Sequence, residues 1–271
     1  MNTAHKRTTC AIYPLAVAAI AYVVLQGLGR AAGTTAAERG GRLPGDDVVP
    51  APQLVTDHAV TIEAPAEQVW PWLTQMGWHR GGWYTPRWVD RLCFPANRPS
   101  ADVLDPVLVR DLEVGDVIPD GPPGTAEYVV VEVDAPRALV LRSTTHVPPG
   151  WRERFGAEIV WTWSFLLTDV ADGSTRVHLR VRGRMSPWWF AALYRATIVP
   201  ADFVMGMGML RGLRRRVVEP VETTRRRPAS VTPPRGRTAG RRTARGAGRR
   251  GTPTAPARAR RHRAVAPARG R

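Results

Sequence analysis

Residues 157–185, AEIVWTWSFLLTDVADGSTRVHLRVRGRM, constrain the fold more tightly than any other stretch. Ile159, Trp161, Trp163, Phe165 and Leu167 occupy every second position. Beyond the Asp172-Gly173 turn, Val177, Leu179 and Val181 do the same. Strand side chains alternate between two faces, so the pattern predicts a long antiparallel hairpin with one buried face. Arg176, His178, Arg180, Arg182 and Arg184 then fall on the other side, expected to face solvent. A contact with an anionic head group is the sharper alternative for this arginine face.

The rest of the chain supplies partners for that hairpin. TAEYVVVEVDAPRALVLRS predicts two more strands around a turn at Asp134–Arg137, and DLEVGDVIPDG (111–121) a short strand with a Gly115-Asp116 turn. An opening strand is expected in DHAVTIEAP, from Asp57. Pro65 fits the start of a helix whose Val69, Trp72, Leu73 and Met76 share one face. Pro71 lies inside it and should kink it. After a Gly81-Gly82 turn, Thr85 as cap and Pro86 as first helical residue predict a second short helix with Trp88, Val89 and Leu92 on its face. A last helical region follows Ser186-Pro187, is expected to break at Pro200, and resumes with Phe203, Met207, Leu210 and Val217 inward. Strands and helices do not alternate as in βαβ folds, so the class is α+β.

Two segments lie outside this pattern. CAIYPLAVAAIAYVVLQGLG (10–29) is uncharged and long enough to cross a bilayer as a helix. Its length favours an uncleaved single-pass anchor, against a cleaved signal or an over-extended start. Basic residues flank both ends, so they set no orientation. The tail from 225 to 271 carries 16 Arg and no acid. The remaining 23 basic residues equal the 23 acidic ones, so the net charge of +16 resides in the tail. Such a composition cannot bury enough apolar surface to order itself, and it should be disordered. It would bind nucleic acid or acidic lipid without sequence preference. The expected organisation is anchor 1–33, linker 34–56, globular domain 57–222 and tail 223–271. The two cysteines imply no disulfide framework, and no metal-ligand spacing is present, so neither a metal nor a cofactor is expected.

The motifs VTIEAPAEQVWPWLTQMG (60–77), GGWYTPRWVDRL (81–92), DLEVGDVIP (111–119), GSTRVHLRVRGR (173–184) and FVMGMGMLRGLRRR (203–216) occur in an order that resembles the SRPBCC superfamily, START-like and polyketide-cyclase-like, in an uncharacterised bacterial subgroup. The resemblance covers residues 57–218. It implies a helix-grip fold, a curved antiparallel sheet wrapped around a long C-terminal helix. It also implies a cavity between the two that takes a hydrophobic small molecule or lipid. Some members of the superfamily are cyclases or aromatases, so an enzyme using the same cavity is the alternative, but the subgroup brings no catalytic signature.

Ten Trp are present and five of them fall within 69–92. Aromatic side chains dominate cores and ligand pockets alike. Trp72 is expected in the core. Trp83, Tyr84 and Trp88 follow a Gly-Gly turn and are expected at the pocket mouth. Trp161 and Trp163, with Met207 and Leu210 on the last helix, are the expected ligand contacts. His79, His146, His178, Asp90 and Asp116 carry no spacing that assigns acid–base work, and no Ser-His-Asp arrangement is visible.

Overall fold

The computed structural model describes residues 3–219, with side chains from residue 13 onward. The tail, expected to be disordered and polyanion-binding, lies outside the described residues. The elements in order are α1 (Thr3–Ala31), α2 (Ala36–Gly40), β1 (Leu54–Ile62), α3 (Ala66–Thr74), α4 (Arg87–Cys93), β2 (Val117–Pro119), β3 (Glu127–Asp134), β4 (Ala138–Ser143), α5 (Trp151–Phe155), β5 (Glu158–Asp169), β6 (Thr175–Ser186) and α6 (Trp188–Val218). The strands form one antiparallel sheet in the order β1-β6-β5-β4-β3-β2, and α6 packs on it. This is the expected α+β helix-grip arrangement. Trp163 pairs with Val181, Phe165 with Leu179 and Leu167 with Val177. Those side chains join Met207, Leu210 and Leu213 of α6 in the core.

The opposite face of the sheet is not solvated as expected. Residues 34–53, expected as a linker, lie over it. Thr35 and Glu38 form a reciprocal capping box that starts α2. Gly45 sits against Val140 and Ser164 on the outer face, closely enough that an added Cβ would stand 2.4 Å from a Val140 methyl. Arg180 is only 3% exposed. Its guanidinium donates to Asp57 Oδ1 (2.8 Å), Asp46 Oδ2 (2.9 Å) and the carbonyls of Glu38, Arg39 and Gly41 (3.1, 2.8 and 2.9 Å). Arg182 donates to the Val49 carbonyl at 3.0 Å, and buried His178 meets Asp57 at 2.8 Å. Arg176 binds Glu38 at 2.7 Å. Of the arginine face, only Arg184 is exposed. Alternation reports which residues point away from the last helix, not whether another segment covers them.

Glu38 is held down to about 2, chiefly by the Arg176 guanidinium, with added help from the Thr35 backbone N–H. A carboxylate depressed in the folded state stabilises fully above its unfolded value near 4.5 and loses that contribution as pH falls toward 2. Glu38→Gln should therefore cost about 1 kcal/mol in urea denaturation at pH 6, after discounting for solvent screening, and almost nothing near pH 2.

α6 runs unbroken through Pro200, against the expected interruption. Proline removes the N–H that would bond the carbonyl four residues earlier. That carbonyl, Ala196, accepts instead from the Tyr22 hydroxyl of α1 at 2.9 Å. Gln26 Nε2 of α1 donates to the neighbouring Arg195 carbonyl at 3.0 Å. One turn later the backbones touch: a Cβ on Gly29 would lie 1.8 Å from the Val199 carbonyl oxygen. The Ala59 N–H of β1 then donates to the Ala32 carbonyl at 3.2 Å. Gly29→Val should force α1 off α6 and lower the melting temperature of the full chain by about 4–8 °C, from a loss of about 2 kcal/mol. An unchanged melt would contradict this seat.

α6 is also pinned to β1 by Asp202. It accepts from the Thr56 hydroxyl at 2.5 Å and meets His58 Nε2 at 2.9 Å, all three side chains being buried. The helix α3 likewise continues through Pro71. The bond given up there is to the Glu67 carbonyl, on the exposed side of a nine-residue helix.

Candidate functional site

The space between sheet and α6 is almost filled by aromatic rings. Trp83 stands edge-on to Tyr128 and to Trp163, with centroids 5.8 and 5.2 Å apart, and Tyr128 is 5.2 Å from Trp163. Beside these rings lies a void of about 40 Å³ lined by Trp83, Thr85, Phe94, Asp120, Trp163, Met205 and Met209. That is room for one or two water-sized groups. The Nε1–H groups of Trp83 and Trp163 are both buried and have no acceptor. Buried donors are nearly always paired, and leaving one unpaired costs about 1–3 kcal/mol.

Trp83 is held in place by its neighbours in sequence. Gly77 and Gly82 bridge to each other, closing the turn. Tyr84 adopts φ 57°, a left-handed conformation unfavourable for a residue with a Cβ. It is compensated by three contacts: its N–H donates to Ser100 Oγ (3.0 Å), its hydroxyl to the Trp72 carbonyl (2.7 Å), and the Arg216 guanidinium lies 5.1 Å over its ring. Burial pushes the Tyr84 hydroxyl well above the ordinary phenol range. Gly212 of α6 permits the approach, since a Cβ there would stand 1.9 Å from the Tyr84 carbonyl oxygen.

At the β2 end of the void, Asp120 Oδ2 meets His146 Nε2 at 2.7 Å, and His146 Nδ1 meets Ser143 Oγ at 2.6 Å. The folded chain thus does contain a Ser–His–Asp chain, which the sequence did not reveal because the three residues carry no recognised spacing. The Ser143 hydroxyl is tied into the local turn. Its oxygen is buried and accepts the Thr145 N–H at 3.1 Å, a turn contact that occupies it. His146 packs on the Tyr128 ring at 4.8 Å and lines a groove of about 630 Å³ with Val147, Pro148 and Tyr194 on its far side. The Asp120–His146 pair therefore separates this outer groove from the inner void. Burial, with Asp120 nearby, drives the Tyr128 hydroxyl far above its ordinary value, so it stays neutral.

The expected ligand contacts separate into four groups. Trp83 and Trp163 line the void together. Trp161, Met207 and Leu210 are packed in the core, Trp161 against Tyr194 at 6.3 Å. Tyr84 is buried and borders a different groove of about 630 Å³, shared with Pro86, Phe203 and Arg211. Trp88 is 57% exposed on the outer side of α4 and shapes no part of the void. Phe94, Asp120, Met205 and Met209 were not foreseen. Met205 and Met209 lie on the helix turn flanking Met207, and Asp120 ends the short-strand segment 111–121 without a spacing that marks it. His79 adopts φ 56° in its turn and stacks on Trp78, and Asp116 caps a turn by accepting the Glu113 N–H at 2.9 Å. Among the described residues, no three His, Cys, Asp or Glu side chains are grouped to hold a metal.

No protein-family model matches the chain, and no curated protein matches its sequence. Solved structures do show similarity. Norcoclaurine synthase from Thalictrum flavum is 11% identical, with 61% of this chain and 94% of that one covered at a TM-score of 0.35. A Mesorhizobium loti protein, MLL2253, is 14% identical over 61% and 97%, with a TM-score of 0.36. CalU16 from Micromonospora echinospora is 15% identical over 60% and 83%, at 0.30. Similarity at this level assigns no activity to the chain.

Proposed function

We propose that the domain, tethered to a membrane through α1, binds a hydrophobic small molecule or lipid between the sheet and α6. The observation that carries this reading is the pair of unpaired indole N–H groups on Trp83 and Trp163, two residues that line the same void. Ligand sites are mostly apolar and aromatic with a few placed polar groups, and this lining has that composition. Two donors without acceptors favour a ligand that presents a carbonyl, hydroxyl or ether oxygen to them. The void holds only that oxygen-bearing tip. The rest of the molecule enters by displacing Met205, Met209 or Phe94. Two of these three are methionines, unbranched side chains that repack readily, and Phe94 lies just past the end of α4. The anchor reading is supported by the apolar helix Tyr13–Ala31, of which 6% is buried.

Organic extraction of the full chain purified in detergent, followed by mass spectrometry, tests the proposal. One apolar, oxygen-containing molecule per chain is expected. Extracts containing only detergent and bulk phospholipid, with no species enriched over a control membrane protein, would overturn it.

A second reading rests on Asp120 and His146. A carboxylate at the void backed by an imidazole at 2.7 Å is a pair able to move a proton to or from a bound molecule, as in a cyclase or aromatase. Under this reading Asp120→Asn retains the ligand and stops its conversion. Under pure binding, the recovered molecule is chemically the same from both proteins.

A further inference from the structure

The seat of α1 on α6 has a geometric consequence for where the domain sits. The uncharged run from Thr8 to Gly29 is 22 residues, about 33 Å of helix, little more than the roughly 30 Å hydrocarbon core. Its last eight residues, Tyr22–Gly29, are the ones engaged with Arg195–Val199 of α6. The run before that contact, Thr8–Ala21, gives only about 21 Å of helix, about 9 Å short of the core. No slack intervenes, because α1 passes directly into the Ala32–Ala59 contact with β1. A helix that crosses the membrane on these terms must carry part of the domain into the leaflet with it.

The part beside it is built for that position. Tyr22 and Gln26 reach residues 195–196 and Gly29 meets residue 199, so α1 advances in the same sense as α6 there and its earlier half extends toward the start of α6. At that start Trp188 is 78% exposed and Leu193 41%, while Phe155 of the adjoining α5 is 42% exposed. Trp151 and Trp189 back them, with Phe155 5.5 Å from Trp189. Charges on this tip are Arg152, Glu153, Arg154, Glu158, Arg184 and Arg195, four basic and two acidic, all exposed. The Arg154 guanidinium lies 5.1 Å over Phe155. Tryptophan with arginine is the composition of the bilayer–water boundary, where aromatic rings sit at head-group depth and long cations snorkel to phosphate.

We propose that α5 and the first two turns of α6 dip into the head-group region of the leaflet through which α1 leaves, so that the domain is seated on the bilayer rather than suspended from it. The partner is the lipid surface itself, with its phosphates at the tip arginines. This rests on the reading of α1 as a membrane span.

Spin labels placed singly in the full chain, with Cys10→Ser and Cys93→Ser as background, test both levels. The chain is reconstituted in phosphatidylcholine–phosphatidylglycerol nanodiscs, and collision rates with oxygen and with a water-soluble nickel chelate are compared. Val17→Cys reports α1. Trp188→Cys and Leu193→Cys report the tip. Ala171→Cys, in the β5–β6 turn at the opposite end of the sheet, reports water. The expected result is oxygen-favoured collision at 17, an intermediate ratio at both 188 and 193, and a water-like ratio at 171. Labels at 188 and 193 that read like 171 while 17 reads as embedded would overturn the seating and leave the span intact. A water-like ratio at 17 as well would overturn the span, and the seating with it.

Discussion

Arg180→Met should destabilise the fold by about 3–5 kcal/mol, although the site was expected on an open surface. Five contacts end with that side chain. Asp57 and Asp46 lose their shared cation, and the carbonyls of Glu38, Arg39 and Gly41 lose their donor. Removing one partner from a buried charge network leaves the others uncompensated, and that cost exceeds what the network contributes over an apolar replacement. His178 and Arg182 still reach the two carboxylates, which limits the loss to this range. Arg180→Lys keeps the charge but not the planar fork that reaches three carbonyls at once, so it should recover less than half. Urea denaturation of the full chain measures both. Proteolysis within 34–50 should accelerate in parallel, because Arg180 supplies four of the contacts that hold that segment. A loss under about 1 kcal/mol for the methionine variant would contradict the role given to it.

Met209→Trp should abolish ligand retention. Its side chain points into the same void as Trp83 and Trp163, and an indole there occupies the space that the ligand's polar tip needs. Overpacking costs about 1–3 kcal/mol, leaving a folded protein. The apolar molecule recovered by extraction should fall by at least about tenfold, which corresponds to about 1.4 kcal/mol of binding. Leu210→Met, one residue on but in the packed core, serves as the control and should retain it. Equal recovery from wild type and Met209→Trp would place the molecule elsewhere.

The sheet was legible in the sequence because period-2 alternation is a local property. The 157–185 hairpin, the β3–β4 pair and the inward row Trp161, Trp163, Phe165 all followed from it. What covers each face was not local. The covering of the arginine face by residues 34–53 depends on contacts such as Arg180 with Gly41, 139 positions apart. Pro200 was misread for a related reason. A proline withdraws one hydrogen bond from its own helix, and only the fold shows that Tyr22 supplies the replacement from 174 positions away. Of the expected ligand contacts, residue type picked out aromatic rings but could not separate rings that fill space from rings that border it. Trp161 and Trp163 share a strand face, yet only Trp163 reaches the void. Asp120 was illegible because its partner His146 lies 26 residues on, across β3 and β4.

The seat between sheet and α6 is tested most directly at the two indole protons themselves. In the full chain, uniformly labelled with nitrogen-15 and held in detergent micelles, the Nε1–H resonances of Trp83 and Trp163 are assigned by Trp83→Phe and Trp163→Phe. Acetophenone, an apolar ketone, and α-methylstyrene, its shape-matched alkene, are then titrated. With the ketone, both resonances should move downfield as their N–H groups gain an acceptor, while the other indoles stay in place. The alkene should leave both where they are. Identical behaviour with the two compounds, or no movement of either resonance at saturating ketone, would contradict a ligand seat between Trp83 and Trp163.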